Sequence, residues 1–89
     1  MNDKYLYYYL NMVIEDLKKD MVYSALCNTL ELEKMVEDKK LKFQMCVIGD
    51  EILYILDAKQ SKKNYKTQIN EVINDILLVI KRRNLYANN

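Results

Sequence analysis

The chain has 89 residues, a formal net charge of +1, 51% apolar residues, one glycine, no proline and no histidine. That is globular composition and enough sequence for one domain, residues 1–89, whose small core makes a marginal monomer or a dimer the expectation. Much chemistry is excluded, because histidine is the commonest base near neutral pH and transition-metal ligand, and a single glycine cannot build a phosphate-cradling loop.

The charge is unevenly spread. Residues 1–58 carry seven lysines against eleven acids, a net of −4, while residues 59–89 carry seven bases against Glu71 and Asp75, a net of +5. Such asymmetry marks either a basic contact surface for nucleic acid or membrane, or two parts that attract each other within a monomer or across a dimer. Cys27 and Cys46 stand alone in apolar surroundings and form no Cys-x-x-Cys pair. They read as buried, unpaired thiols of a cytoplasmic protein. No apolar run approaches the roughly 20 residues of a membrane span. Tyr5-Leu6-Tyr7-Tyr8-Tyr9-Leu10 looks like a secretory leader core, yet it lacks a small-residue cleavage site and runs into Glu15-Asp16. It reads as helix instead. The excess of Lys, Asn, Ile and Tyr fits AT-rich coding, as in a low-GC bacterium or a phage or plasmid living in one.

Asn2 and Asp3 can cap a first helix whose stripe is Leu6, Leu10, Val13, Ile14 and Leu17. Tyr5, Tyr8 and Tyr9 widen it, and Asp20 ends it or opens the next element. The spacing predicts a short second helix over 21–27, burying Val22, Ala25 and Leu26. Asn28 with Glu31 three residues on resembles a capping box, so a third helix is expected over 29–39 with Leu32, Met35 and Val36 inward.

Gly49-Asp50 then reads as the two-residue loop of a β-hairpin over 41–58, because Gly can take the positive φ of a type II′ turn. In that register Leu41, Phe43, Met45, Val47, Ile52, Tyr54, Leu56 and Ala58 share one apolar face. A competing pattern exists: Leu41, Met45, Ile48, Ile52 and Ile55 also fit a heptad seam. A helix there would make a four-helix bundle at a cost of about 1 kcal/mol for Gly49. The polar trio Gly49-Asp50-Glu51 sits where a hairpin tip belongs, which favours the hairpin.

Ser61 or Asn64 caps a long last helix with Tyr65, Ile69, Val72, Ile73, Ile76 and Ile80 as its stripe, and Asn84 suits the left-handed residue that ends helices. Ile76, Leu77, Leu78, Val79 and Ile80 are apolar all round, so this segment is either the centre of the core or a homodimer interface. The fold class expected is α+β, mostly helical: three N-terminal helices, a wing-like hairpin about Gly49-Asp50, and a long C-terminal helix.

That order resembles winged helix-turn-helix domains over roughly residues 21–58. Leu32-Glu33-Lys34-Met35-Val36-Glu37-Asp38-Lys39-Lys40-Leu41 looks like the end of a recognition helix, and 49–56 like a wing returning to the core. The family commonly has a glycine where this chain has Lys40, and Glu31, Glu33, Glu37, Asp38, Asp50 and Glu51 place acids where DNA would lie. The resemblance implies a DNA-binding protein that dimerises through its last helix. Lys18, Lys19, Lys34, Lys39, Lys40, Lys62 and Lys63 would meet phosphates, and Asn28 and Thr29 at a helix N-terminus would reach base edges or phosphates.

Catalysis is not expected. Ser24, Ser61, Thr29 and Thr67 have no activating base nearby in sequence, and the acids at 15–16 and 31–38 alternate with lysines as a solvated face does. No cofactor, metal or small-molecule substrate is implied. The tyrosines at 5, 7, 8 and 9 suit a protein contact. The first functional reading is therefore a small dimeric regulatory or accessory protein that binds double-stranded DNA. The alternative is a non-catalytic interaction module, such as an inhibitor, immunity or counter-defence protein, or adaptor, docking on a partner protein.

Overall fold

The computed structural model describes residues 1–85. Its elements are α1 (Asp3–Lys18), α2 (Val22–Met35), α3 (Lys39–Gln60) and α4 (Lys66–Arg82), with no strand among the described residues. Each of α1 and α3 packs on both α2 and α4, so the four helices close a ring around one core. Short connections force neighbours to run antiparallel. Tertiary bonds fix the ends: Asp20 after α1 meets Lys59 and Tyr65 near the α3–α4 connection, and Asp38 before α3 meets Arg83 after α4.

The first helix forms as its sequence dictates. The Asn2 side chain accepts from the Tyr5 N–H at 3.0 Å, Asp3 sits in the first turn, and Leu6, Leu10, Val13, Ile14 and Leu17 are buried. Asp20, with φ 62, turns the chain out of the helix. The second and third predicted helices are one. Residues 22–35 run unbroken through Asn28 because its amide does not cap anything. It donates to Asp16 Oδ2 at 2.9 Å, the same oxygen that accepts from the Ser24 hydroxyl, and so ties α2 to α1. The break comes later, at 36–38, where the Asp38 side chain accepts from the Lys40 and Leu41 N–H groups and starts α3.

The hairpin is absent, and with it the α+β class and the winged-helix resemblance. Residues 41–58 lie wholly inside α3, and Gly49 has no positive φ. The buried residues of α3 include Leu41, Met45, Ile48, Ile52 and Ile55, which is the heptad seam. The physical reason is partnership. A lone two-stranded hairpin leaves both edges unpaired and is marginal in water, whereas a helix satisfies its backbone internally. Against that, Gly49 costs only about 1 kcal/mol in a helix. Phe43, Val47 and Tyr54, assigned to a hairpin core, stand outside on the helix surface.

At the far end the N-cap of α4 is Tyr65, with no side-chain cap bond of its own, and the expected cap Asn64 lies one residue earlier. Asn64 Oδ1 accepts from the Lys66 N–H as α4 begins, and Asn84 takes φ 53 beyond its end. Leu85 turns back to be buried in the core. No helix among the described residues is long and apolar enough to cross a membrane.

Candidate functional site

The sequence-predicted DNA contacts do not converge. Thr29 is buried in the middle of α2, with its hydroxyl donating to the Ala25 carbonyl, and Asn28 is engaged with Asp16. Neither lies at a helix N-terminus. Lys34 is near the end of α2, and Lys39 and Lys40 open α3. Lys62 and Lys63 follow the other end of α3, a helix of 22 residues. At 1.5 Å per residue that separates the two lysine groups by roughly 30 Å. Lys18 and Lys19 lie with the second group, where Lys18 pairs with Glu15.

The predicted dimer segment divides likewise. Ile76, Val79 and Ile80 belong to the core of the single chain. Leu77 and Leu78 remain 40% and 42% exposed. Of the tyrosines, Tyr5 and Tyr8 are exposed, while Tyr7 and Tyr9 pack against the core.

What the fold does bring together lies on the two outer flanks of α3. Towards α2, Leu30 on α2 stands beside Gly49; along the outer side of α3 Leu53, Tyr54 and Leu56 line a groove with Asp50, Asp57 and Gln60, and Tyr54 and Asp50 also border α4 beside Gln68 and Glu71. Leu56 and Gln60 also line the next groove along, with Tyr23, Ser24 and Lys59. The register follows from the antiparallel pairing: Lys42 donates to the Glu33 carbonyl, Gly49 faces Thr29 and Leu30, and Lys59 donates to the Asp20 carbonyl. Towards α4, Phe43, Val47 and Leu78 frame a groove of about 240 Å³ whose polar side holds Gln44, Glu51, Asp75 and Arg82. A fourth groove, between α1 and α4, is lined by Leu17, Tyr65, Ile69 and Ile73, with the 2.8 Å bond from the Tyr65 hydroxyl to Asp20 at its rim.

Electrostatics separate these surfaces. Burial pushes the Glu51 carboxyl up to about 7, aided by its hydrogen bond with Asp75 and by the charges of Asp75 and Glu71. Asp20 is held below the usual carboxylate range by hydrogen bonds from Tyr65 and Lys59. Asp38 is held down by Arg83 and by the N–H groups that it caps. The cysteines are surface residues, not the buried thiols expected from their neighbours. Partial desolvation, with Glu33 and Asp50 nearby, raises the Cys46 thiol, which opposes the thiolate a nucleophile needs. No group of acids and cysteines among the described residues could hold a metal ion.

Of the exposed apolar residues, Leu30 and Leu53 carry no role in the sequence reading, and Phe43 and Tyr54 are assigned there to a hairpin core instead of a surface. Their signal was present: once the seam of α3 is assigned to the core, these residues are left over on its flanks. Comparison with protein-family models, curated proteins and solved structures finds no match.

Proposed function

We propose that this chain is a non-catalytic docking protein, one that acts by covering part of another protein as an inhibitor, immunity or counter-defence protein, or adaptor does. One observation carries the reading. The core is already closed within the single chain, yet α3 holds Phe43, Leu53 and Tyr54 in water at 69%, 53% and 62% exposure. Single exposed apolar side chains are ordinary, but large ones ranged along both flanks of one helix mark a contact surface. Three further points support it. The grooves are open and combine apolar with acidic side chains, the one exposed thiol with a shifted pKa is shifted away from reactivity, and the acids beside that thiol, Glu33 and Asp50, are what oppose its ionisation. Two unpaired cysteines fit a reducing compartment, which favours the cytoplasm.

DNA has less to rest on. Its lysines are divided between two ends of the bundle, and Thr29 is buried. A homodimer through α4 has Leu77 and Leu78 available, since Ile76, Val79 and Ile80 are taken by the core.

Photo-crosslinking side chains placed at Phe43 and Leu53 in the native host test the reading. The expected product is a one-to-one adduct with a different protein, rebuilt from purified components and lost in Phe43→Lys or Leu53→Lys. Adducts with nucleic acid alone, removed by Lys62→Glu with Lys63→Glu, would contradict it and return DNA as the ligand. Adducts with a second copy alone would contradict it as well.

A further inference from the structure

We infer that the face shared by α2 and α3 receives a basic amphipathic helix of the partner. This rests on the docking reading and names the chemistry of its partner. The first ground is shape. Tyr23 and Leu30 are exposed two helical turns apart on α2, and the antiparallel register sets them beside Leu56 and Gly49 of α3. Leu53 stands between these levels on α3 and shares its groove with Leu56. A row of that length and spacing accepts the i, i+3/i+4, i+7 anchors of a helix laid along it.

The second ground is charge. Residues 22–33 and 43–58, which make up the central part of this pair of helices, contain not one lysine or arginine; of their acids Asp50 and Asp57 border this face and Glu33 lies beside Cys46 of α3, whereas Glu51 faces Asp75 and Glu71 of α4 and Glu31 lies a turn from Asn28 on the side of α1. Asp50 and Asp57 line the same groove as Leu53 and Leu56. The bases lie at the ends and two of them are engaged: Lys59 bridges to Asp20, and Lys42 donates to the Glu33 carbonyl. A purely apolar helix seated here would strip water from carboxylates and give nothing back. An acidic helix would be repelled, and so would an anionic membrane surface. Lysines or arginines flanking an apolar stripe meet Asp50 and Asp57 beside Leu53 and Leu56, and Lys59, which lines the Tyr23 end, is already paired with Asp20, which favours both encounter and register.

The probe is a fluorescent peptide of about 18 residues, five turns, built from leucine and lysine with leucine at helical spacing. Its leucine–glutamate twin is the control, and anisotropy against the full chain is the readout. The leucine–lysine peptide should bind saturably and the twin should not. Leu30→Lys with Leu53→Lys should weaken binding at least about tenfold, while Asn74→Lys, exposed on α4 and outside every groove described, should leave it within about twofold. Circular dichroism establishes that each variant folds. Should the double variant not fold, Tyr23→Lys, at one of the most exposed positions of the face, and Asp50→Lys with Asp57→Lys give the same readout. No saturable binding by about 100 μM, or equal binding by wild type and the face variants, overturns the inference. If that happens while crosslinks from Leu53 still capture a partner protein, the docking reading stands and only the basic-helix partner falls.

Discussion

Gly49 and Glu51 lie two positions apart on α3 and make opposite demands on the fold. Gly49 is helical and buried, and a Cβ built on it would meet Thr29 Cγ2 at 3.8 Å and Leu30 Cδ2 at 3.9 Å, ordinary contact distances. Gly49→Ala should therefore stabilise the chain by up to about 1 kcal/mol, raising Tm by roughly 4–8 °C. A hairpin with positive φ there would be destabilised by the same change, so thermal melting of this one variant separates the two backbones. Glu51 carries the pH dependence. Its carboxyl titrates near 4.5 when unfolded and at about 7 in the bundle, facing Asp75 and Glu71 of α4, with Arg82 further along the same groove. Between those values the folded chain binds more protons than the unfolded one, so stability falls as pH rises from about 4.5 to about 7 and stays low above. Asp20 and Asp38 work in the other direction and in another window: held below 3.8, they stabilise above that range and lose their effect as pH falls through their folded values. Melting at pH about 5.5 and about 8 thus isolates Glu51, and Glu51→Gln should abolish most of the difference that wild type shows. An unchanged difference in the variant would place the effect elsewhere.

At the scale of the elements, α4 divides its apolar run between two environments. Ile76 is fully buried, so Ile76→Glu should cost about 3 kcal/mol or more and unfold a chain of this size. Leu78, nearly half exposed beside Phe43 and Val47, should accept glutamate within about 1 kcal/mol. Urea titration of both variants checks the contrast; equal losses would mean that α4 is packed differently. The legibility of the helices followed the range of the forces that make them. The cap at Asn2, the stripe of α1 and the left-handed Asn84 depend on neighbours within a turn or two, and they read directly. Asn28 misled because its partner, Asp16, comes from another helix, which local spacing does not reveal. Residues 41–58 misled because α3 is apolar on more than its core seam. Its surplus residues Phe43, Val47 and Tyr54 complete an alternating pattern as well as a helical one, and only the missing partners for strand edges decide between them. The surplus that disguised the helix is the same surplus that forms the candidate site.

Over the whole molecule the charge asymmetry is partly resolved within the chain. The acidic part reaches the basic part at both ends of the bundle, through Asp20 with Lys59 and Asp38 with Arg83. Between these ends the flank of α2 and α3 keeps only acids around its exposed apolar row, and it is this unmatched middle that the docking account uses. The salt dependence of the reconstituted complex tests that account most directly. Apolar anchors with a few flanking charges predict a Kd that changes by less than about tenfold between 50 and 200 mM salt, whereas contacts to 6–10 DNA phosphates lose roughly 10³–10⁵ in affinity over the same interval. A protein complex that keeps its affinity and depends on Leu30 and Leu53 is the predicted result. Binding to DNA that collapses with salt and ignores both leucines would contradict the account.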